Sequence, residues 1–507
     1  MPKSGLLSLD LMMLRMVLNN ALITLLSRVL GFVRDVSMAQ VMGASWHMDV
    51  FLIVFKLPNF FRRLLAEGAF TQALVPAGIR AKDREFFFQQ AYGWLWVVIF
   101  LLSFPFMCFP DKVLKVFVYG LAESSQQYQL AVRLLPWVFP YLGCMACCGF
   151  YTVQLNIAKH FFIGSFLPVL LNSCLIMACY YYSFFESLWY FGYAVLLAGI
   201  LQVILCAYAT WRIGGVLLPG LPRASGEIQS ALKQVSIGFS AQLLSYVSSV
   251  FDLLLVSYLA TGSLSWLYYS ERLMLLPVGV IGVVLANILL PKLSVLCQKK
   301  DYQGACNILQ AGLFWVILIG VPVMMGGLIM GDEIVMVLFS SPEFTAYDVT
   351  STAMVLNVFM LGLPAYMLNR VWGGVSYALL EPSRQLRISA ICTSVGIMVS
   401  IMLLPLYGHI AIAIGSMVSA WLNSGLLWQY IRDRLGFRFL GCEQVYQILI
   451  AVLAMVLCVF FLNHYVVVEV LPNQMGRILM LMIKIVLAAA GYFGVLYMQK
   501  TKLSLFF

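Results

Sequence analysis

Long apolar runs, separated by short polar connections, make up almost the whole chain. A membrane-spanning helix needs about 20 mostly apolar residues, because the hydrocarbon core of a bilayer is about 30 Å thick. Fourteen runs meet this condition, and their centres lie near residues 27, 60, 99, 140, 172, 200, 248, 280, 320, 361, 398, 420, 454 and 487. The runs are continuous and do not alternate with a period of two, which excludes a transmembrane barrel. The pattern predicts an all-α polytopic membrane protein with about 14 transmembrane helices.

The connections between the runs indicate how the helices are grouped. The longest one on the predicted cytoplasmic side, residues 211–233, is rich in glycine and proline and is predicted to be a hinge. Weak similarity between residues 68–76 and 282–291 favours an internal repeat on either side of it. Many transporters have two repeated lobes with the substrate site between them near the bilayer midplane. The two predicted six-helix lobes and the C-terminal two-helix appendage are residues 1–215, 216–437 and 438–507.

Composition and charge agree with a membrane protein. Apolar residues make up 62% of the chain and charged residues 10%, against roughly 45–50% and about 25% in soluble domains. A cytosolic enzyme and a disordered protein are both excluded. Of the 31 lysines and arginines, nineteen fall in segments on one side of the predicted membrane and three on the other. By the positive-inside rule both termini are predicted to be cytoplasmic, and the net charge of +10 reflects topology rather than nucleic-acid binding.

Charged residues inside the predicted spans are the best candidates for a functional site. Each costs about 2.5–3.5 kcal/mol at a helix centre, so such residues line a wet cavity, pair with one another or lie at the membrane rim. Spans one and two carry Arg28, Arg34, Asp35, Asp49, Lys56, Arg62, Arg63 and Glu67. The later spans carry Asp252, Glu271, Arg272, Arg370 and Lys484.

The charges of the first two spans favour an anionic ligand. On an ideal helix, Asp49, Lys56, Arg63 and Glu67 fall within about 40° of one another and form one polar stripe. The first lobe contributes five cations and three acids, and the arginine fork matches the oxygens of a phosphate group. A phosphorylated head group is therefore the predicted ligand. The alternative is that these charges only form salt bridges between helices.

Several segments of the chain resemble the MurJ (MviN) family of lipid II flippases. The resemblance is strongest in the first 76 residues and extends over spans one to twelve. The similar segments are residues 27–35 (SRVLGFVRD), 55–63 (FKLPNFFRR), 66–76 (AEGAFTQALVP), 262–274 (GSLSWLYYSERLM), 277–283 (PVGVIGV), 289–291 (LLP) and 344–348 (FTAYD).

The resemblance implies a transporter of the multidrug/oligosaccharidyl-lipid/polysaccharide superfamily. Such a protein moves the undecaprenyl-diphosphate-linked peptidoglycan precursor, lipid II, from the inner to the outer leaflet of the bacterial inner membrane. The last two spans would shape a groove for the polyprenyl tail. The expected substrate-binding residues are Arg28, Arg34, Asp49, Lys56, Asn59, Arg62, Arg63, Glu67, Glu271 and Arg272.

Other functions are weighed against this one. A lipid-linked oligosaccharide flippase and a drug or cation antiporter belong to the same superfamily, but a drug antiporter favours a more acidic or apolar cavity. A membrane glycosyltransferase would need catalytic carboxylates in a sizeable loop, and the connections are too short. No phosphate-binding G-x-x-x-x-G-K-[ST] motif is present, so neither ATP nor another cofactor is expected. We expect a monomer that contacts lipid II and membrane lipids.

Two smaller questions concern energy coupling and cysteines. The cycle is expected to be driven by the membrane potential; the alternatives are sodium bound at Asp252 and a purely structural Asp252. Carboxylate and hydroxyl oxygens suit sodium, and Ser248 and Ser249 lie about one turn from Asp252. Cys144, Cys147 and Cys148 are predicted to be buried as small hydrophobic residues rather than to bind a metal.

Overall fold

The computed structural model describes residues 4–62, 69–223, 226, 228–229, 233, 248–379, 382–436, 442–465 and 474–499. Every regular element within these ranges is helical, as predicted. The contacts divide the chain into two compact units, Met1–Thr261 and Gly262–Phe507. The predicted boundaries after residues 215 and 437 stay predictions.

The described part of the first unit contains nine helices and, close to its end, a further helical segment. The helices are α1 (Ser4–Met42), α2 (Trp46–Arg62), α3 (Ala69–Arg80), α4 (Arg84–Cys108), α5 (Pro110–Phe117), α6 (Gln126–Val138), α7 (Tyr141–Ile157), α8 (Phe162–Phe185) and α9 (Trp189–Arg212). The segment is residues 248–256, which precede the boundary between the units. Helix α1 packs along α8, and α2 packs against α6 and α7. Arg28, Arg34 and Asp35 lie on α1, and Asp49, Lys56 and Arg62 lie on α2.

The second unit has eight described α-helices. They are α10 (Ser263–Pro277), α11 (Val283–Gln298), α12 (Tyr302–Phe339), α13 (Ala346–Ala378), α14 (Pro382–Tyr407), α15 (His409–Leu435), α16 (Cys442–Tyr465) and α17 (Gln474–Met498). A π-helical segment, Val278–Gly282, joins α10 to α11 directly after Pro277. Proline has no N–H to donate and crowds the preceding turn, so it commonly accompanies such a change of helical pitch.

Ten helices in the described part of the chain are long and apolar enough to cross a membrane. They correspond to predicted spans three to six and nine to fourteen, with α6 and α7 together forming span four. Predicted spans one, two, seven and eight do not belong to this set, and these are the spans to which the sequence assigns the charged site residues. The protein is a multi-span membrane protein, and the number fourteen stays a prediction.

The predicted hinge is partly bound to the first unit. Residues 213–223 cross the ends of α4 and α7, where the Gly220 N–H donates to the Gln89 carbonyl at 2.8 Å. The Gln154 amide forms two hydrogen bonds with the backbone of Val216, of 2.8 and 3.0 Å. Gly93 has no room for a side chain because the Gly220 carbonyl oxygen lies against it. Residues 213–223 are therefore bound to the first unit, and most of the remaining predicted hinge lies outside the described residues.

A short clasp, residues 118–127, holds the chain just before the unit boundary. The Gly120 N–H donates to Ser257 Oγ at 2.9 Å, and the Gln127 amide donates to Thr261 Oγ1 at 2.9 Å. A Cβ atom on Gly120 would lie 2.6 Å from the Ser257 carbonyl carbon and 2.7 Å from a ring carbon of Tyr258. The clasp explains why residues 248–261 belong to the first unit.

We expect Gly120→Ala to detach the clasp, because backbone atoms cannot move aside for the added methyl group. Overpacking of this kind costs about 1–3 kcal/mol. Thermal unfolding of the purified protein measures the loss, and disulfide formation between cysteines placed at Gln127 and Thr261 reports the detachment. Gly494→Ala is the control, since no neighbouring atom lies within 4 Å of a Cβ there. Equal stability of the two variants would contradict the assignment.

Helix α13 begins with a capping box. The Asp348 carboxylate accepts hydrogen bonds from the Thr345 backbone N–H at 2.9 Å and from its hydroxyl at 2.7 Å. Its other oxygen accepts from the Trp266 indole N–H at 2.9 Å. The capping box provides hydrogen-bond partners at the start of the helix, where backbone N–H groups lack partners within the helix. The bond from Trp266 also links α13 to α10. Residues 344–348, one of the segments that carries the family resemblance, therefore have a structural role.

The last two helices pack against α12 of the second unit. An apolar cluster that includes Leu318, Met455 and Tyr492 joins the three helices. Within this packing, Lys484 of α17 is 2% exposed, and its ammonium lies 2.7 Å from Glu333 Oε1 of α12. It also donates to Asn463 Oδ1 of α16 at 3.0 Å. One buried cation thus links all three helices.

Candidate functional site

Arg34 and Asp35 of α1 form a buried ion pair. They are 9% and 4% exposed, and two nitrogens of the guanidinium, Nε and Nη2, donate to Asp35 Oδ1 at 3.0 and 2.6 Å. The third nitrogen, Nη1, donates to Asn172 Oδ1 of α8 at 2.8 Å. Charge-assisted hydrogen bonds of this length are the strong ones in proteins. The charge of Arg34 is therefore compensated and its guanidinium is fixed in orientation.

Arg28 differs from Arg34 although both lie on α1. Its side chain is exposed, and it has no hydrogen bond or ion pair with any residue in the described ranges. An exposed cation in a membrane helix is costly unless it reaches water, a head group or an anionic ligand. Unlike Arg34, Arg28 can therefore be reached by a bound anion without displacing a carboxylate.

Helix α2 carries the next four candidate residues. Asp49 is 9% exposed, whereas Lys56, Asn59 and Arg62 are half-buried. The Arg62 Nε atom donates to Asn59 Oδ1 at 2.9 Å, one helical turn earlier. This bond orients the guanidinium along the helix, since residues three apart lie on the same face. Asn59 therefore positions Arg62.

The predicted polar stripe is only partly described. Asp49 and Lys56 lie on α2, seven residues apart and hence on one face of the helix. Arg63 and Glu67, the other two members of the stripe, lie outside the described residues. The stripe as a whole stays a prediction.

In the second unit, Glu271 and Arg272 follow one another on α10. Glu271 is exposed and Arg272 is half-buried. The Arg272 guanidinium carbon lies 4.7 Å from the centre of the Tyr268 ring, one turn earlier. Such a cation–π contact fixes the arginine side chain without neutralising its charge. Arg272 is thus positioned on a rigid helix six residues before the π-helical segment begins.

The metal and cysteine predictions have different outcomes. Asp252 is half-buried in the segment of residues 248–256, and within the described residues no group of three or more His, Cys, Asp or Glu side chains converges as a metal site. Cation binding at Asp252 stays a prediction. Cys147 and Cys148 are buried free thiols, and the Tyr92 hydroxyl donates to Cys147 Sγ at 3.3 Å. They pack as small side chains in an apolar cluster to which α4 and α7 contribute most residues. Cys144 is only half-buried, so its predicted burial is wrong.

The family is decided by comparison with known sequences. The family model described as "Lipid II flippase MurJ" matches residues 38–485, which include most of the segments that carry the resemblance. The chain belongs to the MurJ family. It is 31% identical over 423 residues to a protein of Vibrio cholerae serotype O1 named "Probable lipid II flippase MurJ", covering 80% of each chain.

Solved structures support the same fold. A structure titled "Lipid II flippase MurJ, inward closed conformation" matches with a TM-score of 0.81 and 21% identity, over 95% of this chain and 99% of the other. An inward-facing multidrug transporter of the MATE family, in the MOP superfamily, matches with a TM-score of 0.63 and 10% identity, over 83% and 98%. The MurJ fold is therefore confirmed, and the chain shares its overall fold with a MATE transporter.

Two partners of charged residues were not predicted from the sequence: Asn172, which contacts Arg34, and Glu333, which pairs with Lys484. Asn172 is the one amide in the apolar helix α8, and Glu333 lies near the end of α12. Asn172 is neutral and Glu333 lies close to a predicted connection, so neither stands out as a charge inside a predicted span. A lone amide in the middle of a 24-residue apolar helix is a usable signal, because a buried polar group needs a partner.

Proposed function

We propose that this protein is a lipid II flippase, which moves the undecaprenyl-diphosphate-linked peptidoglycan precursor from the inner to the outer leaflet by alternating access. The proposal rests mainly on one observation. In this member of the MurJ family, Arg28, Arg34 and Arg62 lie on two consecutive helices, α1 and α2. Three guanidinium groups on rigid helices suit a diphosphate, because each can donate two hydrogen bonds to its several oxygens.

The three arginines differ in what holds them, and this gives each a part in binding. Arg28 is exposed and offers the first contact for the diphosphate. Arg62 is oriented by Asn59 and adds a second fork. Arg34 is paired with Asp35, so a phosphate oxygen exchanges with the carboxylate when the substrate binds. Asp49, Lys56, Arg63, Glu67, Glu271 and Arg272 are proposed as further members of the substrate site.

A drug or cation antiporter of the same superfamily is the second candidate, favoured by the fold similarity to a MATE transporter. Depletion in cells tests the two. With lipid II labelled, depletion of a flippase traps the label in the inner leaflet, whereas depletion of a drug antiporter changes only the resistance to cationic compounds. Normal export of lipid II after depletion would contradict the proposal.

We further propose that the protein lies in the bacterial inner membrane with both termini in the cytoplasm, and acts as a monomer. Nineteen basic residues on one side against three on the other support this orientation. Single cysteines at Lys299 and Arg434 should react with a membrane-impermeant reagent only after the inner membrane is opened. A cysteine at the exposed Asp332 should react in intact spheroplasts. Labelling at Asp332 only after lysis would contradict the orientation.

Energy coupling is proposed to come from the membrane potential. Moving one charge through 100 mV supplies about 2.3 kcal/mol, which is enough to reset a binding site with excess positive charge. Flipping in proteoliposomes should then stop when the potential is collapsed and continue when sodium is replaced by potassium. Sodium dependence that disappears in Asp252→Asn would instead assign the coupling to Asp252.

A further inference from the structure

Asn172 lies where an apolar helix meets the charged face of α1. It is 5% exposed and is the one residue with an amide or charged side chain in α8. A buried amide costs free energy unless its oxygen and nitrogen both find partners. A leucine or alanine at this position would avoid that cost. Filling space therefore does not explain the amide, and its hydrogen bonds do.

Both polar atoms of Asn172 contact α1, two turns apart. The Oδ1 atom accepts from Arg34 Nη1 at 2.8 Å, and the Nδ2 atom donates to the Ser27 carbonyl at 3.1 Å. Ser27 and Arg34 are seven residues apart and lie on one face of the helix. Between them, a Cβ on Gly31 would lie 3.4 Å from Asn172 Nδ2, so the glycine lets the amide come close. The amide therefore fixes α8 to α1 and Arg34 to both.

The guanidinium of Arg34 is held from two sides. Asp35 accepts from Nε and Nη2, while Asn172 accepts from Nη1. Asp35 is the next residue on the same helix and moves with Arg34, whereas Asn172 is on another helix. Asn172 therefore fixes the position of the guanidinium relative to α8. A long side chain that is fixed before binding loses less entropy when the ligand arrives.

We propose that Asn172 is a positioning residue of the substrate site, which holds Arg34 ready for the diphosphate of the lipid substrate. The inference rests on the proposed function. Asn172 acts through Arg34, since its own oxygen and nitrogen are already engaged by α1. A neutral amide suits this task, because a carboxylate at the same place would compete with the phosphate for the guanidinium.

The test is the affinity of the purified protein for lipid II in detergent, measured by thermophoresis. Asn172→Leu should weaken binding about 10-fold, in the range typical of residues that orient a ligand-binding group. Asn172→Asp should weaken it further, because its carboxylate competes with the phosphate for Arg34 and cannot donate a hydrogen bond to the Ser27 carbonyl. A merely structural residue would lower the unfolding temperature of both variants and leave the affinity of the folded protein unchanged.

A second experiment tests whether Asn172 affects the affinity for lipid II by way of Arg34. In Arg34→Lys, which keeps a positive charge beside Asp35, Asn172→Leu should change the affinity less than 2-fold, because coupled residues are not additive. The matched control is Gln202→Leu. Gln202 is a buried amide of the same unit that donates to the Leu167 carbonyl at 2.6 Å and has no hydrogen bond to Arg34. Its loss should lower stability and leave the affinity unchanged.

The outcomes separate the two claims. If the unaltered protein does not bind lipid II, the proposed function is wrong. If it binds and Asn172→Leu binds equally well, or loses 10-fold also in Arg34→Lys, the role of Asn172 is wrong. If Asn172→Leu does not fold, the affinity of Asn172→Asp decides, and binding as tight as that of the unaltered protein overturns the role.

Discussion

Lys484→Met should lower the free energy of unfolding by about 3–5 kcal/mol, because it leaves the mostly buried Glu333 carboxylate without its cation. The Lys484 side chain is 3% exposed and the Glu333 side chain 15%, so water replaces little of the lost contact. Asn463 would also lose the donor to its side-chain oxygen. Thermal unfolding of the purified protein in detergent measures the change, and the two C-terminal helices should become sensitive to protease first.

The control for this prediction is the neighbouring acid. Asp332→Asn alters an exposed carboxylate on the same turn and should change stability by less than about 0.5 kcal/mol. Lys484→Met combined with Glu333→Leu should recover much of the loss, since an apolar pair of similar size replaces a buried ion pair at little cost. A single variant as stable as the unaltered protein would show that the pair does not hold the helices together.

Arg28→Ala should weaken the binding of lipid II roughly 10- to 100-fold, because one charge-assisted hydrogen bond contributes about 1.5–3 kcal/mol. Arg28→Lys keeps the charge and loses the fork, so it should recover only part of the affinity. Complementation of a depleted strain, together with binding to the purified protein, measures both variants.

Arg133→Ala is the matched control for Arg28. Arg133 is an exposed arginine on α6 of the same unit and is not assigned to the substrate site. Its removal should leave affinity and growth unchanged. Full complementation by Arg28→Ala at normal expression would remove Arg28 from the site.

The apolar pattern predicted the helices well and their interruptions poorly. Ten of the predicted spans match apolar helices. Span four was predicted as one run centred at residue 140, whereas α6 ends at Val138 and α7 begins at Tyr141. Hydropathy does not distinguish a continuous helix from two helices joined by an apolar turn, because both are equally apolar.

Charges were located correctly, but their partners were not. The sequence marks Lys484 as a charge inside span fourteen, yet its partner Glu333 lies 151 residues earlier. For Arg34, the sequence supplies the neighbour Asp35 but not Asn172, which is 138 residues away. Periodicity gives the face on which a residue lies, whereas the helix opposite that face depends on tertiary packing. The same limit explains why the predicted hinge, residues 211–233, included residues 216–220, which hydrogen-bond to α4 and α7.

The most direct test of the central claim is flipping by the purified protein in proteoliposomes. Labelled lipid II is placed in both leaflets, a membrane potential is imposed, and the fraction reached by an impermeant reagent is followed in time. The account predicts that label moves between leaflets with the unaltered protein and Arg133→Ala, and much more slowly with Arg28→Ala. No movement above that of protein-free vesicles, from protein that is folded and transports a cationic drug, would contradict it.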